Sequence, residues 1–405
     1  MEFRDYQESI IARGTDLILR DRFVYLAMQV RTGKTLTSLG IADKIAKKVL
    51  FLTKKKAMKD VVSDYNNFGF DFDLTVINYE SMHKFTDIVY DMIILDEAHS
   101  LGAYPKPSKR AKDVKVLIRR DNPYICFLSG TPTPESYSQM YHQVYGIPNN
   151  PFRQYRSFYR FCDDHVNVTQ RFINGFKKNV YSDGKQSILD LMAPYMIDYT
   201  QQQAGFDSVI DEEILKVPIS NKIYTMCDKL KKDLVLEIGD EVILADTGVK
   251  LMTKLHQLYS GTVKFESGNT LIVDDSKARY IKWKFGDKKI GIFYKFKAEL
   301  EAIKGVLGDS VTESIDEFNE TDKSIALQIV SGREGISLRN AEFLVFYNID
   351  FSATSYWQAR DRMTTKDRKY NKVYWLFSDR GLENKIYKTV ISKKNFTLKH
   401  FKWNY

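Results

Sequence analysis

Short apolar runs and longer stretches of helical spacing alternate through the first 140 residues of the chain. Val24–Met28, Val49–Leu52, Leu74–Ile77, Asp91–Leu95 and Tyr124–Leu128 are apolar at nearly every position rather than at every second one. A strand of that kind is buried on both faces, as in a parallel sheet. A helix running to about Leu19 behind Phe3-Arg4-Asp5-Tyr6-Gln7, and another opening at Lys34, fill spaces around the first of them. Strand–helix alternation predicts a doubly wound α/β lobe over residues 1–150.

From Pro151 to about residue 275 the pattern changes. Helical periodicity dominates, with aromatic and basic residues interleaved as in Arg153-Gln154-Tyr155-Arg156 and Tyr159-Arg160-Phe161. Met252–Tyr259 reads as a helix; Glu237–Ile243 and Leu271–Val273 are ambiguous short strands. The expectation for 151–275 is a mainly helical accessory and linking region whose aromatics are core rather than stacking platforms. Lys288–Phe293 restarts the α/β pattern, with a helix over Tyr294–Leu307 and strands at Ile325–Val330, Phe343–Tyr347 and Val373–Phe377. Thr354–Met363 between the last two is helix-like, and residues 276–405 form the predicted second lobe.

Length and charge add bounds. A chain of 405 residues accommodates two or three domains. A net charge of +9 fits either a polyanionic partner or a merely basic soluble protein. The three cysteines have no paired spacing, which excludes a disulfide framework or a zinc site and predicts a reducing compartment. No apolar run reaches the ~18 residues of a membrane span, and the N-terminus lacks the apolar segment of a secretion signal, so a cytoplasmic protein without membrane contact is expected.

Chemistry concentrates where strands end. After Val24–Met28 comes Gln29-Val30-Arg31-Thr32-Gly33-Lys34-Thr35-Leu36, the end of a phosphate loop of the GxxxxGK[ST] kind. Such a loop aims backbone N–H groups and a helix N-terminus at phosphate oxygens. Arg31, Thr32, Gly33, Lys34, Thr35 and Leu36 are the candidate phosphate-binding residues; Lys34 would reach the β- and γ-phosphates and the Thr35 hydroxyl would ligate Mg²⁺. Met28 replaces the first glycine of the pattern, and Arg31 stands at a position often held by glycine. Upstream, Gln7 can make a two-point hydrogen bond to an adenine edge.

The apolar run ending at Leu95 leads into Asp96-Glu97-Ala98-His99. Two carboxylates at the end of a buried strand are costly unless they meet a cation. Asp96 is placed to hold Mg²⁺ through a water, Glu97 to polarise the attacking water as general base, and His99 to relay to neighbouring motifs. Ser129-Gly130-Thr131-Pro132 either couples the carboxylates to a bound strand or is a plain strand-end turn. Lys54-Lys55-Lys56 either grips a nucleic-acid backbone or solubilises the surface.

In order, FRDYQ, RTGKT, NYES, DEAH, SGTPTPES, KIGIF, SGREGISL and QARDRM resemble the motifs of superfamily two helicases and translocases, nearest the Swi/Snf-like branch and its compact phage relatives. The stretches LMAPYMIDYT and KLHQLYSGTV resemble segments between that branch's two lobes. The resemblance implies two RecA-like lobes with ATP and Mg²⁺ between them, the first supplying Gln7, Lys34, Thr35, Asp96 and Glu97. The second would supply Gln358, Arg362 and, from SGREGISL, Gly335. It implies a DNA helicase or duplex translocase of replication, recombination or repair, DNA favoured over RNA by the branch alone. A monomer is expected, with protein partners open. The family's QxxxRxxR pattern expects an arginine at 365, where this chain has Thr365. That departure keeps open an ATP-gated binding module with weak turnover, and a motor subunit of a larger complex remains a further alternative.

Overall fold

The computed structural model describes residues 2–85, 88–173, 176–206, 209–332, 336–365 and 368–392. Two compact units divide the chain, Met1–Phe206 and Asp207–Tyr405.

In the first unit six strands form one sheet: β1 (Phe23–Met28), β2 (Lys48–Thr53), β3 (Asp73–Asn78), β4 (Met92–Leu95), β5 (Tyr124–Leu128) and β6 (Met196–Tyr199). The order is β3-β2-β4-β5-β1-β6, and every neighbouring pair is parallel. Successive side chains of β1 go to opposite faces. Phe23, Tyr25 and Ala27 enter a core with Ile93, Leu95 and Leu117, whereas Val24, Leu26 and Met28 enter another with Ile11, Ile18, Leu39 and Ile41. The helices α1 (Asp5–Asp21) and α2 (Lys34–Ile45) supply the second face, and α4 (Lys109–Asp121), which follows α3 (Met58–Phe68), supplies part of the first. This two-sided burial is why β1, β2, β4 and β5 are continuous apolar runs.

The register pairs Leu52 with Leu95, Leu95 with Phe127, and Leu26 with Leu128. The residues that follow these pairs, Thr53, Asp96, Ser129 and the loop after Met28, therefore emerge along one carboxyl edge, where open α/β sheets bind ligands.

The second unit holds β7 (Val209–Val217), β8 (Ile290–Tyr294), β9 (Val311–Thr312), β10 (Ser324–Gln328), β11 (Phe343–Phe346) and β12 (Tyr370–Ser378). They form a six-stranded sheet in the order β9-β10-β8-β11-β12-β7, again parallel throughout. Trp375 on β12 is fully buried, stacked at 3.9 Å on Phe346 of β11.

The linking stretch 151–275 is shared between the units, and it carries strands as well as helices. Its β6 and β7 are the outer strands of the two sheets, and the ambiguous segments near 240 and 271 belong to two-stranded antiparallel sheets. Strand β7 reads VIDEEILKV, which conceals it from a search for apolar runs. Its acids are partnered: Asp211 and Glu213 with Lys372 at 2.7 and 2.8 Å, Glu212 with Arg360 at 2.7 Å and Trp375 Nε1 at 2.9 Å.

Among the described residues of the second unit, a charged pair is fully enclosed. Lys277 on α5 (Ser276–Phe285) lies 3.1 Å from Glu383, which opens the helix α7 (Glu383–Val390) downstream of α6 (Ala353–Arg360). Lys277 also donates to Tyr347 O at 3.3 Å, and Glu383 accepts from Ser378 N and Oγ. Removing one partner strands the other charge away from water. Glu383→Ala should therefore cost about 3–5 kcal/mol of unfolding free energy in the second unit, measured by urea denaturation. A loss no larger than that of an exposed ion pair would refute it.

Candidate active site

The phosphate loop is built by the end of β1 and the start of α2. Gly33, the residue before the helix, has φ +79°, and a Cβ there would lie 2.4 Å from Gln7 Nε2. The left-handed conformation favours glycine at this position, and a side chain there would displace the Gln7 amide. Arg31 has φ +65°, a left-handed conformation unusual outside glycine. The backbone thus keeps the shape that the common glycine would give, at a local cost of about 1–3 kcal/mol typical of functional loops. Thr32 is buried and donates from Oγ1 to Gln29 O at 2.7 Å, closing the turn. Lys34 Nζ lies 3.5 Å from the same carbonyl, folded back over the loop. Thr35 and Leu36 sit in the first turn of α2, whose leading N–H groups have no partner within the helix.

Two further segments brace this loop. Gln7 is buried on α1; its Oε1 accepts from Arg4 N at 3.1 Å and its Nε2 reaches Gly33 O at 3.4 Å. An adenine edge would compete for that long second bond. Tyr6 donates to Thr32 O at 3.1 Å and stacks on Tyr199 at 4.7 Å. Beyond β6, Gln201 donates twice to the loop, from Nε2 to Val30 O at 3.0 Å and from its backbone N–H to Gln29 Oε1 at 2.8 Å. Tyr6 lies in FRDYQ and Tyr199 in LMAPYMIDYT, but neither stretch assigns them this bracing role and no motif contains Gln201; the pairing of β6 beside β1 brings the last two there.

Asp96 and Glu97 leave β4 at the same edge. Asp96 accepts from Thr53 Oγ1 at 2.8 Å, and its own carbonyl accepts from Tyr79 OH at 2.5 Å. Burial and the adjacent Glu97 carboxylate push the Asp96 pKa up to about 6, with Lys34 and Thr53 pulling the other way. Glu97 has φ +51°, which turns the chain sharply after Asp96. His99 Nδ1 lies 2.9 Å from Ser129 Oγ and 3.2 Å from Glu97 Oε2. Ser129 Oγ also accepts from Thr131 N at 3.1 Å, which joins the DEAH segment to SGTP. Arg110 lies 4.5 Å over the Tyr79 ring and bonds Ser100 Oγ and Glu80 Oε1, each at 2.8 Å, which joins DEAH to NYES.

The donor set suits the expected ligands. A helix N-terminus with Lys34 fits a polyphosphate, and a carboxylate with a threonine hydroxyl fits a hard cation such as Mg²⁺. A raised carboxyl also has a consequence for stability. Its pKa in the fold exceeds the ordinary 3.8, so the folded chain holds a proton the unfolded chain has lost, and stability falls as pH rises from about 4 to about 6. Asp96→Asn removes that penalty. In metal-free, nucleotide-free buffer at pH 7.5 it should stabilise the first unit by about 3 kcal/mol, and the gain should vanish near pH 4. A thermal melt showing equal or lower stability for the variant at pH 7.5 would contradict this.

In the second unit, Gln358 lies on α6 and is buried, and its Oε1 has no hydrogen-bond partner among the described residues. Arg362 follows on a single turn of tighter helix, its Nη1 donating to Ile336 O at 3.1 Å. Gly335 lies outside the described residues, as does Lys366. Arg360 is held by Glu212 and lies 4.2 Å over the Trp357 ring. Arg368 donates to the carbonyls of Ala341 and Glu342 at 2.6 and 2.5 Å.

Two parallel, doubly wound six-stranded sheets, the first ending in a phosphate loop and an acidic pair, define a helicase-like ATPase core with two RecA-like lobes. Residues 35–259, more than half of the 405, match the SNF2-related domain, and the chain belongs to that family, within the Swi/Snf-like branch of superfamily two. No curated protein matches the chain. Among solved structures it is similar to the SWI2/SNF2 ATPase core of Sulfolobus solfataricus in complex with dsDNA, at 16% identity over 97% of this chain and 91% of that one, with a TM-score of 0.45. It is also similar to the helicase domain of Pyrococcus furiosus Hef, at 14% identity over 95% and 97% of the two chains, with a TM-score of 0.50. The second likeness is one of fold. Among the described residues no helix is long and apolar enough to cross a membrane.

Proposed function

We propose that the chain is a nucleic-acid-dependent ATPase that translocates on or remodels duplex DNA, in the setting of replication, recombination or repair. The observation that carries this reading is the carboxyl edge of the first sheet, where Asp96, Glu97, His99 and Ser129 follow neighbouring strands beside the loop N–H groups and Lys34 acts electrostatically on Asp96. Lys34 and the N–H groups of Gly33–Leu36 hold the β- and γ-phosphates, with Arg31 and Thr32 shaping the loop. Thr35 and Asp96 hold Mg²⁺, which supplies charge neutralisation on the phosphoryl group. Glu97 accepts a proton from the attacking water, and Gln7 reads the adenine. Gln358 and Arg362 complete the site from the second lobe, Arg362 stabilising charge on the transferring phosphoryl group. The net positive charge and a family of helicase-like cores support contact with nucleic-acid phosphates rather than with base edges. The proposed parts are a first lobe over residues 1–150, a linking stretch over 151–275 and a second lobe over 276–405.

Thr365 favours a second reading, an ATP-gated clamp with turnover far below the ~1–100 per second common in phosphoryl transfer. ATP turnover of the full chain with single-stranded, duplex, forked and four-way DNA, and with RNA, separates the two. Stimulation by DNA supports the motor; tight ATP-dependent DNA binding with no stimulated turnover supports the clamp. No binding and no stimulation by any nucleic acid removes both.

A further inference from the structure

The linking stretch carries a feature that ATP chemistry does not use. Thr169–Ile173 and Phe176–Val180 pair antiparallel in a two-stranded sheet of their own. Such a ribbon is marginal by itself, and this one is rooted firmly. Val166 bridges Gly184, Asn167 N donates to Asp183 O at 2.8 Å, and Lys185 N donates to His165 O at 2.8 Å. His165, buried at the root, is bonded on both ring nitrogens, to Tyr155 OH and Ser187 Oγ, each at 2.8 Å.

Away from the root the ribbon is built against its own stability. Phe176 is 73% exposed. The register sets Arg171 directly opposite Lys178, and like charges facing each other across a ladder are destabilising. The two strands contain the cations Arg171, Lys177 and Lys178 and no acidic residue. Among the described residues neither Arg171 nor Lys178 has a carboxylate within ion-pair distance. Period-two alternation puts Phe176, Lys178 and Arg171 on one face, the aromatic ring farthest from the root. An aromatic platform followed by a close pair of cations matches an unpaired base followed by its phosphates.

We propose that this ribbon engages the open end of a duplex, with Phe176 against an exposed base and Arg171 and Lys178 on the adjoining backbone. The proposal rests on the reading of the chain as acting on nucleic acid. At Phe176 it takes the stacking role over the core role that the sequence reading favours for the aromatics of this region.

The test is binding of the full chain to a forked duplex with 2-aminopurine at the junction, and to a blunt duplex of the same sequence. The wild-type chain prefers the fork and perturbs the 2-aminopurine emission. Phe176→Ala should lower the fork-to-blunt affinity ratio roughly 5- to 100-fold, the range for removing a stacking platform. Phe176→Trp should restore both the preference and the emission change. Arg171→Gln with Lys178→Gln should lower the slope of log affinity against log salt by about 1.5–2, as for two lost phosphate contacts. A ratio unchanged by Phe176→Ala, or a wild-type chain that binds nucleic acid without fork preference, overturns the ribbon's role and leaves the ATPase reading standing. A wild-type chain with neither nucleic-acid binding nor stimulated ATP turnover overturns both.

Discussion

Arg362→Ala should reduce nucleic-acid-stimulated ATP turnover by about 10³- to 10⁵-fold, the range for an arginine that stabilises a transferring phosphoryl group. ATP affinity should change far less, because the charge Arg362 answers develops mainly in the transition state. Two neighbouring cations have structural partners of their own. Arg360 is committed to Glu212 and the Trp357 ring, and Arg368 to the carbonyls of Ala341 and Glu342. Arg360→Ala and Arg368→Ala should therefore show as lowered melting temperature of the second unit. Arg362→Lys should not restore turnover, since an ammonium lacks the planar fork of a guanidinium. Steady-state turnover of Arg362→Ala within tenfold of wild type would remove Arg362 from this role and strengthen the weak-turnover reading that Thr365 suggests.

The second large effect is at Glu97. Glu97→Gln keeps the size and shape of the side chain and removes the proton acceptor, so hydrolysis should fall about 10²- to 10⁴-fold. The variant should still take up ATP, because Lys34 and the loop N–H groups are untouched, and should hold nucleic acid longer in its presence. Filter binding with ATP and steady-state hydrolysis measure the two halves of this expectation. The unusual φ of +51° at Glu97 turns the chain after Asp96, and Glu97 Oε2 lies 3.2 Å from His99 Nδ1. Hydrolysis unaffected by Glu97→Gln would mean that the attacking water is oriented by another group.

Much of this fold is legible because burial on both faces leaves a plain mark. Strands β1, β2, β4, β5, β8 and β11 are continuous apolar runs, and the carboxyl ends of β1, β4 and β5 carry motif residues. Strands β6 and β7 are less visible for separate reasons. β6 is four residues with Asp198 among them, and β7 offsets three acids against cations distant in sequence. Tertiary partners, which no local pattern contains, permit both. The same holds in the candidate site. Lys34, Asp96 and Glu97 stand out because glycine, lysine and paired carboxylates at strand ends have few structural uses. Thr53, Arg110 and Gln201 do not, since a polar side chain that braces a loop resembles any surface polar residue until the register is known. Arg31 is instructive in the other direction: a departure from the glycine pattern in sequence retains the left-handed backbone in structure.

All of the proposed chemistry requires one nucleotide to be gripped by both units. The three cysteines Cys126, Cys162 and Cys227 are buried, so spin labels can be placed selectively at the exposed positions Lys59→Cys in the first unit and Glu301→Cys in the second. Pulsed electron spin resonance should show the distance between the labels shorten and its distribution narrow when a non-hydrolysable ATP analogue and duplex DNA are added together, and Lys34→Ala should abolish the change. A distribution that stays the same at saturating analogue and DNA, in a chain that still hydrolyses ATP, would contradict a site assembled from two lobes.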